Sequence, residues 1–209
     1  MKTPEHQNID PESDFRERMC GTVPLDQLMP ENDCELRGDS RSLVSDLVTD
    51  SRRVTPGSLF FAFPGARSDG NEFVNEAIER GAAGIVTGNE HIENGQVASL
   101  KVSDARLALA RFARRYHGWP DQTLRVAGVT GTNGKTTVTA LTRHLMERQG
   151  RPVGLVGTVR YHLGDREVPS FKTTPESADL YAMLHSMLAA GCAEAVMEVS
   201  SHGIHQSRV

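Results

Sequence analysis

Residues 126–137 read VAGVTGTNGKTT, and their reading decides the fold. A short apolar run empties into a turn bounded by glycines, and the turn ends in a lysine and two threonines. Gly131 and Gly134 let the backbone bend so that successive N–H groups point at one anion, and a helix starting behind them adds its positive N-terminal end. Lys135 supplies a point charge that reaches terminal phosphates. Thr136 places a hydroxyl where a phosphate-loop Ser or Thr ligates Mg2+. The general phosphate-loop pattern asks for glycine five residues before Gly134. Val129 stands there instead, with glycine displaced to Gly128, while the variant G-x-T-G-T-N-G-K-T-T is met in full.

A lone G-x-x-G would be read as a turn that starts a helix and binds nothing. Here the strand LRVAGV precedes the turn, and apolar Val138, Leu141, Leu145 and Met146 follow it at helical spacing. Residue types and strand-loop-helix context agree, and they assign nucleotide phosphate binding to Gly131, Thr132, Asn133, Gly134, Lys135, Thr136 and Thr137.

Beyond the loop and its helix, the pattern predicts a strand over 153–156, an extended pair within 158–170, a helix over 175–190 and a strand over 195–199. Before the loop it predicts a short helix at VPLDQLM, extended segments over 47–49 and 58–63, and a helix over 71–80 closed by Gly81. A buried strand over 84–87, a strand near 100–102 and a helix over 103–116 complete that half. Strands alternating with helices imply α/β architecture with parallel sheets and crossover helices. Residues 120–123 read as a linker between an N-terminal domain (23–120) and a second domain (121–209). Residues 1–22, polar and acidic, read as a disordered leader. Only three clear parallel strands follow the linker before the chain stops, so the second domain is expected to be incomplete and the chain a fragment of a longer protein.

At 209 residues with 38% hydrophobic content the chain can build ordinary cores. A net charge of −4 with scattered basic residues gives no reason to expect nucleic-acid binding. Arg106, Arg111, Arg114 and Arg115 gather on one helix, which is read as a solvated face opposite an apolar stripe. Cys20, Cys34 and Cys192 form no C-x-x-C and suit a reducing, cytoplasmic setting. No apolar run is long enough to span a bilayer, and the N-terminus lacks the apolar segment of a secretion signal. Neither export nor a membrane partner is expected.

Three further motifs surround the loop. Thr49-Asp50-Ser51-Arg52 leads into PGSLFFAFPG and Ala66-Arg67-Ser68-Asp69-Gly70; Lys172-Thr173-Thr174-Pro175 follows the extended pair; MEVSSHG begins at Met197 and runs on to Gln206-Ser207-Arg208-Val209. Each alone has a plain explanation as a turn, a helix start or a strand end. In this order around the loop, over residues 44–209, they resemble the Mur ligases, and within them the branch that adds the third residue of the peptidoglycan stem peptide.

The resemblance implies a small N-terminal α/β domain that binds the UDP part of the substrate, followed by a truncated phosphate-loop domain with a parallel sheet. Thr49, Ser51, Ala66, Arg67 and Ser68 would lie against the uridine diphosphate. Thr173, Thr174, Ser200, Gln206 and Arg208 would hold the muramoyl-peptide end, with Lys172 standing where many members have Asn. ATP would sit on 131–137, with Thr136 and Glu198 on Mg2+ and Lys135 and Glu198 as the catalytic pair. A carboxylate at the end of a neighbouring strand is also where phosphate-bound Mg2+ needs a protein ligand. No role is assigned to His202. The implied reaction moves the γ-phosphoryl group of ATP to the D-glutamate side-chain carboxylate of UDP-MurNAc-L-Ala-D-Glu. The acyl phosphate is then attacked by the amine of a diamino acid, taken as meso-diaminopimelate, in a monomeric cytoplasmic enzyme. The family's other metal-binding residues and its third domain do not fall within these residues, so the chain alone is expected to be inactive. Another Mur or folylpolyglutamate ligase, or a non-catalytic UDP-sugar or nucleotide-binding module, are the alternatives. A GTPase switch lacks its guanine-reading Asn-Lys-x-Asp.

Overall fold

The computed structural model describes residues 21–63, 69–92, 95–148 and 150–209. Ala66, Arg67 and Ser68 lie outside the described residues, as does the expected leader up to residue 20.

The N-terminal half opens with β1 (Val23–Pro24), α1 (Leu25–Leu28), β2 (Glu35–Arg37), β3 (Leu43–Val44) and β4 (Asp46–Val48). It continues through β5 (Ser58–Ala62), α2 (Val74–Glu79), β6 (Gly84–Thr87), β7 (Ala98–Lys101) and α3 (Ala105–Tyr116). Strands β4, β5, β6 and β7 run parallel, and β2 closes the far edge antiparallel to β7, in the order β2-β7-β6-β5-β4. Every residue of β5 and β6 is buried, which is why SLFFA and GIVT read as continuous apolar runs without alternation. Asp104 accepts from the N–H groups of Arg106 (2.8 Å) and Leu107 (3.1 Å) and so starts α3. From there Ala105, Ala108, Leu109, Phe112, Ala113 and Tyr116 form its buried stripe. The Phe112 ring meets Phe61 of β5 edge to face at 5.5 Å. The short β1, β2 and β3, with two or three residues each, were not foreseen, because segments that short carry no period.

Residues 120–123, read as a linker, hold a 3-10 turn over Pro120–Gln122 entered through Trp119 at φ 58°. The second half then runs through β8 (Arg125–Val129), α4 (Lys135–Glu147), β9 (Val153–Val156), β10 (Arg160–His162), β11 (Glu167–Pro169), α5 (Ser177–Ala189), β12 (Glu194–Glu198) and α6 (Ser201–His205). The sheet order is β11-β10-β9-β12-β8, with β9, β12 and β8 parallel and the two hairpin strands antiparallel. Helix α5 packs Leu180, Met183, Leu184 and Met187 on Ala195 and Met197 of β12. Val196 between them points to the opposite face by strand alternation, where α4 crosses β9 and β12.

The halves meet along α3 and α5. Ala178 of α5 joins the N-terminal core, the His185 Nδ1 lies 2.9 Å from the carbonyl of His117, and Arg106 reaches Glu176 at 3.8 Å. The arginines of α3 are therefore not a bare solvated face. Arg106 also lies over the Phe63 ring, Arg114 pairs with Asp121 at 2.7 Å, and Arg114 and Arg115 both approach the Trp119 ring. Their side chains are long enough to reach the ends of neighbouring segments while their Cα atoms stay on the outer side of the helix.

Candidate active site

The phosphate loop joins the end of β8 to the start of α4, as the sequence predicts. Gly131 has φ 143° and Gly134 φ 82°, values that side chains with a Cβ rarely adopt. Gly134 stands at the N-cap of α4 and supplies no side-chain cap. The first N–H groups of that helix are thereby left to bond something other than a capping side chain. Lys135 folds back so that its Nζ donates to the Gly131 carbonyl at 2.8 Å. The ammonium thus already lies over the loop. Thr132, Asn133 and Thr137 are exposed around it.

Glu198 ends β12, directly beside Val129 in the parallel register. The Val199 N–H bonds the Val129 carbonyl at 2.8 Å. The carboxylate of Glu198 therefore arrives at the mouth of the loop, outside the carboxyl ends of the parallel strands, where such sheets bind ligands. Glu198 is 1% exposed, and no ion pair to it occurs among the described residues. Its oxygens are held instead by neutral donors. The Thr136 and Thr158 hydroxyls donate to Oε2, each at 3.0 Å, and the Thr158 N–H donates to Oε1 at 2.9 Å. A buried carboxylate without a positive partner is costly. One carboxylate and one threonine hydroxyl beside a glycine-bounded helix start form an oxygen-only donor set of the kind that suits a Mg2+ completed by waters and phosphate oxygens. No cluster of three His, Cys, Asp or Glu side chains able to hold a metal occurs among the described residues.

On the far side of Glu198, the Thr173 hydroxyl lies 3.0 Å from that of Thr158. Thr174 is 1% exposed. Its hydroxyl accepts from the Ser200 N–H at 3.0 Å and lies 3.1 Å from both the Glu198 carbonyl and the Ser200 hydroxyl. Ser200 in turn caps α6 by accepting from the Gly203 N–H at 3.0 Å. Thr174 and Ser200 thus brace the end of β12 against the 172–175 segment, with Thr173 nearer the opening. Arg208 donates to the Thr174 carbonyl at 2.9 Å and pairs with Glu176 at 2.9 Å and with the Gln206 side chain, while its Nε is buried without a partner. His202 is exposed on α6.

Two residues that shape this site were not singled out in the sequence. Thr158 is one. Tyr161 is the other: fully buried, its hydroxyl donates to the Lys172 carbonyl at 2.6 Å and accepts from the Lys172 N–H at 2.9 Å, which fixes the segment presenting Thr173. Burial pushes the phenol pKa up. An aromatic ring between Arg160 and His162 was the signal the sequence offered.

In the N-terminal half, a cleft of about 600 Å3 is lined by Thr49, Asp50, Ser51 and Arg52 together with Phe60, Phe63, Gly70, Phe73 and Glu76. Asp50 caps the 3-10 turn over Ser51–Arg53 by accepting from the Arg52 N–H at 3.0 Å. The Arg52 side chain bonded to it holds the Asp50 carboxyl below its ordinary pKa. The Ser51 hydroxyl donates to Glu76 at 2.6 Å, which leaves its lone pairs for a donor on a ligand. Gly70 lets the backbone pass Phe63, since a Cβ there would meet the Phe63 nitrogen at 2.8 Å. A second pocket joins the halves, with Thr49, Asp50 and Arg53 on one wall and Lys172, Glu176 and Asp179 on the other.

Two Mur ligase family models match the chain in succession. The model for the catalytic domain of the Mur ligase family matches residues 44–117 and the model for the Mur ligase middle domain matches residues 129–209. The UDP-N-acetylmuramoyl-L-alanyl-D-glutamate–2,6-diaminopimelate ligase of Geobacter sulfurreducens is 43% identical over 83% of this chain and 34% of its own length. The ligase of the same name from Solibacter usitatus is 44% identical over 79% of this chain and 34% of its own. The chain thus spans about a third of the length of the curated relatives it matches. A solved structure of a UDP-N-acetylmuramoyl-L-alanyl-D-glutamate–2,6-diaminopimelate ligase superposes with a TM-score of 0.73 at 25% identity, covering 90% of this chain and 38% of that one. A MurF ligase from Thermotoga maritima in complex with ADP gives 0.52 at 25% identity over 75% and 32%.

Proposed function

The chain belongs to the Mur ligase family, and from that premise we propose that it is the substrate- and nucleotide-binding part of an ATP-dependent ligase of peptidoglycan synthesis. The ligase joins 2,6-diaminopimelate to UDP-N-acetylmuramoyl-L-alanyl-D-glutamate in the cytoplasm. Residues 23–120 bind the UDP end in the 600 Å3 cleft against Thr49 and Ser51, with Ala66, Arg67 and Ser68 assigned to the same end. Residues 121–209 bind the nucleotide on 131–137. Thr173, Thr174, Ser200, Gln206 and Arg208 face or brace the peptide end.

The observation that carries this reading is the buried Glu198 carboxylate aligned with Thr136 at the end of the phosphate loop. Thr136 and Glu198 would hold a Mg2+ accompanying ATP, whose charge offsets the repulsion between the triphosphate and the substrate carboxylate. Lys135 leaves the Gly131 carbonyl to neutralise the terminal phosphate, and the N–H groups of the loop orient it for in-line transfer. Thr173 and the pocket shared by Asp50, Lys172 and Glu176 mark the route along which a substrate anchored in the N-terminal half reaches the phosphates.

Titration calorimetry of the chain with UDP-N-acetylmuramoyl-L-alanyl-D-glutamate and with UDP alone tests the reading. Both should bind, the former more tightly, and Ser51→Ala should weaken both by about tenfold, the value of one lost hydrogen bond. A folded chain that binds ADP but neither UDP compound would overturn it.

A further inference from the structure

Resting on that reading of 131–137 and Glu198, we propose that Thr158, backed by Gly157, is the positioning residue that sets the Glu198 carboxylate for the cation and ties it to Thr173 on the substrate side. No other residue touches both oxygens of Glu198 among the described hydrogen bonds: its N–H holds Oε1 at 2.9 Å and its hydroxyl holds Oε2 at 3.0 Å. The two contacts fix the carboxylate plane as well as its place. Gly157 makes the approach possible, since a Cβ there would sit 2.6 Å from Glu198 Oε1. The preceding β9 is parallel to β12, so the 157–158 turn and Glu198 leave the sheet side by side at the same end.

The hydroxyl of Thr158 carries one proton. Donating it to Oε2, it accepts from Thr173, whose hydroxyl stands 3.0 Å away. Thr136 also donates to Oε2. A hydroxyl has lone pairs to spare for a cation while its proton stays on a carboxylate, so Thr136 can ligate the cation and still donate to Oε2. Thr158, which faces no phosphate loop, holds the carboxylate from the other side. Its N–H and hydroxyl fix both oxygens, and its accepted bond from Thr173 makes the orientation of the substrate-side hydroxyl depend on the state of Glu198. Outer hydrogen-bond partners of ligating carboxylates act in this way on metal affinity.

Calorimetric titration of the chain with ADP, in excess Mg2+ and in chelator, gives the factor by which the cation tightens nucleotide binding. Thr158→Val keeps the side-chain volume and the N–H but removes the hydroxyl. It should cut that factor by about 10-fold, the lower end of what such partners contribute, with affinity in chelator unchanged and the chain still folded, its melting temperature lowered only by the lost hydrogen bond to the buried carboxylate. Thr158→Ser should restore the factor to the wild-type value, and Gly157→Ala should lower it by displacing Oε1. A Thr158→Val chain with the full wild-type factor would overturn the proposal. So would a valine variant whose loss is equal in chelator, since that marks a fault in the loop and not in the carboxylate. A wild-type chain that binds ADP with no help from Mg2+ would overturn the cation reading itself, and this proposal with it.

Discussion

Helices α3 and α4 are nearly equal in length, at 12 and 13 residues, and both carry apolar residues at helical spacing, yet they sit differently. The apolar stripe of α3 is buried against the sheet of the N-terminal half. On α4 only Thr139 is buried, while Val138, Leu141 and Leu145 are 47%, 58% and 65% exposed. The strands they serve differ in the same sense. All of β5 is buried, whereas β8 is exposed from Arg125 to Gly128. One half thus derives its stability from a closed core. The other leaves one face of α4 and most of β8 exposed beside the loop of 131–137, while Glu198 stays buried on the inner strand β12. Periodicity reports which side of a helix is apolar, and burial depends on whether something lies against that side.

The sharpest way to break this contrast is to empty the closed core. Phe112→Ala removes a fully buried ring from the N-terminal half and should cost about 3–5 kcal/mol, measured by denaturant unfolding followed through the near-UV signal. A cost under about 1 kcal/mol, the range of ordinary surface changes and mild repacking, would mean that the core is not as close-packed as described.

Thiol chemistry separates the halves next. Burial, with a smaller contribution from the Asp33 charge, pushes the Cys34 thiol up to about 11, and burial raises Cys192 as well. Each packs against its own cluster, Cys34 in the N-terminal half and Cys192 among the residues of α5 and β12. Alkylation of Cys34 at pH 8 should run roughly a hundredfold slower than that of a free thiol, the thiolate fraction lost over two pKa units. Because the folded pKa is raised, the stability that the buried neutral thiol contributes is present below pH 9 and is lost as the pH rises toward 11. Mass-spectrometric labelling along a denaturant series should expose the two cysteines at different midpoints, and coincident midpoints would show the halves unfolding as one.

The smallest expected effect is at the open edge. Leu145→Ala on α4 should change stability by less than about 0.5 kcal/mol, as for other exposed sites, in the same unfolding experiment. A loss resembling that of Phe112→Ala would mean that Leu145 is covered in solution.

Much of this was legible in the residues. The loop of 131–137, the helix behind it and the strand expected over 195–199 follow from glycine placement and apolar runs, while the Thr136–Glu198 pairing comes from the family resemblance, with support from the rule that open parallel sheets act at their carboxyl ends. The short β2, the reach of the α3 arginines to Glu176 and Trp119, and the part of Thr158 were not, because each depends on contacts between segments far apart in sequence. Thr174 and Ser200 show a further limit. The family resemblance implies that they contact substrate, while the structure spends their hydroxyls on bracing Glu198 and α6. Spacing alone does not tell a contact from its support.

The register between β8 and β12 has a consequence for heredity. Glu198 lies opposite Val129, and side chains along a strand alternate between faces, so a single codon inserted or lost within β12 would turn the carboxylate toward the α5 side and bring a neighbour to the loop in its stead. Where it falls before Met197, such a change leaves every motif intact to the eye of a reader comparing letters. This strand is therefore expected to drift by exchange of residues and to hold its length.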